Sequence, residues 1–145
     1  MPAAANIRRL FLDPQPTYPP PDAAALLGMS ARELDGWVAA GELEGEQTGN
    51  GLVLPWHEVV SFAMSFWDQE DIEAALGDDL AEAIPELLRL AELHVRIPRM
   101  EVVALERVAA RDGKSVSAVL GRELLDFVAT HAEWLGLGDA LAWPA

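Results

Sequence analysis

Glu92-Leu93-His94-Val95-Arg96-Ile97-Pro98 is the stretch whose reading decides the fold. Leu93, Val95 and Ile97 alternate with Glu92, His94 and Arg96, a period of two that belongs to a strand with one dry and one wet face. Pro98 has no N–H to give a ladder and ends the run. So short a strand cannot stand alone, because its backbone groups need a partner and no second strand pattern lies nearby in the sequence. A second copy of the chain can supply one. Two copies paired antiparallel across a twofold axis would turn Leu93, Val95 and Ile97 onto helices and leave Glu92, His94 and Arg96 facing outward.

Helical patterning follows directly. Residues 99–111 place Leu105, Val108 and Ala109 on one face, and residues 115–131 do the same with Val119, Leu120, Leu124, Phe127 and Val128. Between them Asp112-Gly113-Lys114 makes the turn, with Gly113 able to take a positive φ, and Ser115 caps the second helix. A two-stranded ribbon fits the major groove of DNA, where its outward side chains meet base edges.

This pattern resembles the ribbon-helix-helix family of Arc, MetJ and CopG. The residues that carry the resemblance are Val95-Arg96-Ile97-Pro98, then Leu105, Val108 and Ala109, then Arg111-Asp112-Gly113-Lys114-Ser115-Val116-Ser117. It covers residues 93–131. The resemblance implies a homodimer bound to double-stranded DNA, with His94 and Arg96 reading bases. It also implies that the amides of Ser115, Val116 and Ser117 hold a phosphate, with Lys114 beside them. Free N–H groups at a helix start favour an anion on their own account. Two positions depart from the family: Glu92 faces the groove, where it can accept from a cytosine amino group, and Glu123 stands where a small apolar residue is usual.

Working outward, charge divides the chain. The formal net charge is -14. Residues 1–90 carry four basic side chains against sixteen acidic, residues 91–145 six against eight, and residues 93–131 six against five. Only the back of the chain can meet phosphates without strong repulsion.

In front, Asp22-Ala23-Ala24-Ala25-Leu26-Leu27-Gly28-Met29-Ser30 reads as a short helix, a glycine stop and a cap for a second helix through residue 40, closed by Gly41. Residues 42–54 suggest a hairpin about a Thr-Gly-Asn-Gly turn, and Pro55, Trp56, His57 and Glu58 begin a third helix. With Leu34, Trp37, Val38, Gly41 and Leu43, then Trp56, Glu58, Val59 and Phe62, residues 18–62 resemble the excisionase and MerR-like winged helix-turn-helix family. That family's second helix and wing are rich in Arg and Lys. Here only Arg32 is available as a secondary DNA contact, beside Glu33 and Asp35, and Glu42, Glu44 and Glu46 enter the wing. A protein-facing or inter-subunit role is therefore the stronger expectation for this module, with Trp37 and Trp56 in its core.

The remaining segments are expected to be subsidiary. Prolines at 14, 16, 19, 20 and 21 make residues 13–21 extended and residues 1–17 an arm. Residues 68–91 form an acidic helical connector, helical over 80–90, and residues 132–145 an apolar tail in which Trp134, Leu137 and Trp143 could anchor a partner.

The expected fold class is thus mainly α: an N-terminal winged helix-turn-helix over 18–67 and a C-terminal ribbon-helix-helix over 92–131 with an intermolecular two-stranded antiparallel ribbon. No cysteine and three scattered histidines argue against a metal site, and no cofactor is expected. No nucleophile–base pair or phosphate loop points to an enzyme. Without a long apolar run or a signal-peptide core, no membrane association is expected and the cytoplasm is the expected location. The function expected is a dimeric DNA-binding transcriptional repressor. By analogy with its family it could be an antitoxin that binds a basic toxin through its acidic or C-terminal region. The alternative is a protein-interaction adaptor whose two modules serve assembly.

Overall fold

The computed structural model describes residues 2–138, and the fold is mainly helical with a small antiparallel sheet. The chain divides into two units, one running through Arg89 and one beginning at Leu90.

In the first unit, α1 (Ala4–Leu12) precedes β1 (Thr17–Tyr18), α2 (Pro20–Leu27) and α3 (Ala31–Ala39). Gly28 ends α2 at φ 74°, a left-handed conformation that costs a Cβ-bearing residue energy, and Met29 N–H closes the turn on Ala24 O at 3.0 Å. Ser30 then caps α3, its Oγ accepting from Glu33 N–H at 3.1 Å. The hairpin forms as expected: β2 (Glu46–Thr48) and β3 (Gly51–Pro55) pair with Gln47 opposite Leu52, and Thr48 Oγ1 donates to Gly51 O at 2.8 Å across the turn. β1 adds to the other edge of β3, with Tyr18 opposite Leu54, giving the order β1-β3-β2. α4 (Trp56–Phe66) packs beneath the sheet with Val59, Val60, Phe62 and Ala63 buried.

Four sequence expectations are corrected here. Residues 1–17 are not a free arm: α1 buries Ile7, Leu10 and Phe11 in the common core, and Trp56 Nε1 donates to Leu10 O at 2.8 Å. The prolines after α1 end the helix without detaching it. Pro20 and Pro21 are themselves helical, because the first turn of a helix has no use for their missing N–H groups. Residues 68–91 are not a mere connector, since α5 (Gln69–Leu76) buries Ile72 and Leu76 against α1, and Ile84 is equally buried. The helix expected over 80–90 is broken. α6 (Leu80–Ala83) stops before Pro85, which cannot donate to the preceding turn, and a single 3₁₀ turn, Glu86–Leu88, follows.

Arg8 ties the two ends of this unit together. Its guanidinium donates to Ala75 O at 3.1 Å and Leu76 O at 3.3 Å, and pairs with Asp79 at 2.6 Å. A cation here satisfies the last carbonyls of α5 and complements the negative end of that helix. Arg89 acts similarly, donating to Ile84 O at 2.7 Å and Ala81 O at 2.9 Å.

The second unit is built on α7 (Arg99–Asp112) and α8 (Val116–His131), which pack on one another. Within one chain, residues 91–98 are exposed and belong to no helix or strand, so the strand expected over 92–97 does not form in the single chain, which offers it no ladder partner among the described strands. Among its described residues, only Ala109, Val119 and Ala132 are buried. Among the described residues no helix is long and apolar enough to cross a membrane.

Candidate functional site

The turn between α7 and α8 joins a glycine stop to a serine cap. Gly113 takes φ 64°, letting Lys114 N–H reach back to Ala109 O at 3.0 Å. Ser115 is extended and its Oγ accepts from Ala118 N–H at 3.0 Å, while its carbonyl accepts from Val119 N–H at 3.1 Å. The N–H groups of Val116 and Ser117, both on exposed residues, have no hydrogen-bond acceptor among the described residues. These two amides lie at the positive end of the 16-residue helix α8.

Cations surround this turn. Arg111 Nε donates to Asp112 Oδ1 at 2.9 Å. That hydrogen bond is the main reason the Asp112 carboxyl lies below its ordinary range; partial desolvation opposes it, and the charges of Arg111, Arg122 and Lys114 add to it. The same contact raises the Arg111 guanidinium. Arg111 is thus the contact partner of this carboxylate, and the charges of Arg122 and Lys114 act on it in the same direction.

In residues 91–98 the polar and apolar side chains alike are exposed in a single chain. His94 Nε2 lies 3.8 Å from Glu92 Oε2, with both side chains more than nine-tenths exposed. Arg96 is exposed and has no ion-pair partner among the described residues. No hydrogen bond or ion pair among the described residues joins His94 or Arg96 to Lys114, Ser115, Val116 or Ser117 within one chain. The apolar side is uncovered: Leu93 is 78%, Val95 55% and Ile97 37% exposed.

In the first unit, Arg32 is exposed near the start of α3, beside Glu33 and Asp35, and Glu42, Glu44 and Glu46 are exposed along the wing. Trp56 is half-buried and hydrogen-bonded, as a core residue should be. Trp37 is only partly a core residue. Its ring meets Phe62 edge-on at 5.4 Å and Phe66 at 6.2 Å, and Phe62 stacks on Phe66 at 5.2 Å, yet Trp37 and Phe66 remain 37% and 40% exposed. From sequence Phe66 reads as one more apolar position of the third helix, four residues after Phe62 on the same helical row, and its meeting with Trp37 from another helix is not visible there. Of the expected partner anchors, Trp134 is exposed beyond α8, Leu137 is half-buried with its N–H on Ala132 O at 2.7 Å, and Trp143 lies outside the described residues.

No protein-family model, curated protein or solved structure matches the chain.

Proposed function

We propose that the chain is a dimeric DNA-binding repressor, with a ribbon-helix-helix second unit that reads DNA and a winged helix-turn-helix first unit that faces protein. The observation that carries this reading is the uncovered dry side of the second unit. Leu93, Val95 and Ile97 are exposed in a single chain, as are Leu124 and Phe127 on α8. Two helices cannot by themselves bury a core, so leaving these side chains in water forfeits the main source of stability. A second copy pairing residues 92–97 covers them and supplies the missing ladder bonds. It also gathers two copies of Arg96 and His94 between two copies of the Val116 and Ser117 amides, the arrangement a ribbon needs to enter the major groove with a phosphate held on each flank.

The test is binding to DNA from the protein's own promoter over a salt series, for the wild type and Arg96→Ala. The expected result is a sequence-specific complex with a steep salt slope, weakened by about 1–3 kcal/mol in the variant. Absence of sequence preference at low salt would refute the repressor. Gel filtration provides a second check, because a monomeric chain is incompatible with a shared ribbon. In the antitoxin form of the proposal, a basic protein encoded beside this one copurifies with it.

The second reading, an assembly adaptor, is favoured by one specific feature: Glu92 sits beside His94 on the face that would meet DNA. It requires a dimer without a sequence-specific DNA complex.

A further inference from the structure

We infer that the α3–α4 surface of the first unit, centred on Trp37 and Phe66, docks a basic amphipathic helix of a partner protein. The inference deepens the protein-facing role proposed for this unit and is independent of whether the second unit reads DNA. Trp37 and Phe66 are held by Phe62, which is buried, so their exposed edges form a preorganised apolar patch that loses little freedom on binding. Beside them the solvent side of α3 ends in small residues. Gly36, Ala39 and Ala40 are exposed, and a Cβ added at Gly36 would meet nothing within 4 Å. A rod-shaped ligand can therefore lie close to the α3 backbone, with the rings as anchors at its edge.

Charge specifies the occupant. Glu33 precedes Trp37 by one helical turn, giving that exposed ring a carboxylate as its helical neighbour, and Glu58 stands one turn before the buried Phe62 that supports both exposed rings. Asp35 stands on the exposed side of α3, where Arg32 is the one basic residue. A second copy docked here across a twofold axis would set Glu33 and Asp35 against their own counterparts, and DNA phosphates would meet the same repulsion. A helix with leucine-like anchors on one face and arginines flanking them satisfies both the rings and the carboxylates.

The experiment uses the full chain and a fluorescein-labelled amphipathic peptide of Leu and Arg, about 16 residues or four helical turns long, with fluorescence anisotropy as the readout. Saturable binding is expected, weakened about tenfold or more by Gly36→Arg and by Trp37→Ala. It should be unchanged by Leu125→Ala, which truncates an exposed residue on α8. Gly36→Arg keeps the test decisive if Trp37→Ala unfolds, because it fills open space on a helix where glycine is the poorer former. Wild-type binding by Gly36→Arg would overturn the proposal, as would equal binding of a peptide with Glu in place of Arg, or no saturable binding. A DNA duplex whose binding is abolished by Gly36→Arg would overturn it in favour of a nucleic-acid face. Promoter binding tested with Arg96→Ala is a separate readout, so failure of the repressor reading is distinguished from failure of this one.

Discussion

Ser115 and Gly113 show how much a single residue decides at the α7–α8 turn. Truncating the cap, Ser115→Ala, strands the Ala118 N–H and should cost about 1 kcal/mol, and Gly113→Ala, forced to hold φ 64°, should cost about 1–2 kcal/mol. Both are measured by urea unfolding. Asp112 carries a pH signature. Its carboxyl is held below the ordinary range chiefly by the Arg111 hydrogen bond, so its stabilising contribution is present above the unfolded-state value and is lost as pH falls through the folded one. Asp112→Asn should be less stable than the wild type near neutral pH, with the difference closing as the solution is acidified below about pH 4; thermal unfolding across that range checks it. The Gly113 turn and the Ser115 cap were legible in the sequence because capping and turn chemistry act over three or four residues, whereas the Arg111–Asp112 pair was not read there. The same locality explains Gly28 and Ser30. It does not extend to Trp37, whose ring is half covered by Phe62 and Phe66 from a different helix, a relation that no window around Trp37 contains.

Elements were legible by period, and their roles were not. The spacing of Ile7, Leu10 and Phe11 is helical, yet whether such a helix docks depends on a groove made by α2, α4 and α5, far along the chain. Leu10 is fully buried, so Leu10→Ala should destabilise the first unit by about 2–5 kcal/mol, as read by circular dichroism during denaturation. A mobile arm would show no such effect. In residues 80–90 the apolar spacing suggested one helix and Pro85 overrode it, a case in which a missing donor outweighs periodicity. Residues 92–97 show the converse. Their alternation is clear, but a ladder is a relation between two strands, and the described part of one chain offers residues 92–97 no partner.

For the whole molecule, charge and self-association set the behaviour. Residues 1–90 carry sixteen acids against four basic residues, so the first unit repels itself, and its unfolding temperature should rise as salt screens that repulsion. If the second unit completes its core with a second copy, its unfolding temperature should also rise with protein concentration, by mass action. Calorimetry over salt and concentration series separates the two effects, and a concentration-independent transition would contradict the shared ribbon. By itself the sequence determined what is local: the caps, the turns, the hairpin, the helical periods and the contrast between an acidic front and a near-neutral back. Only the tertiary structure decided that α1 and the acidic segment belong to one core with the helix-turn-helix, and that Trp37 and Phe66 share an exposed edge. The division follows from the physics: hydrogen bonding at helix ends and turns joins near neighbours, whereas burial depends on which distant surfaces meet.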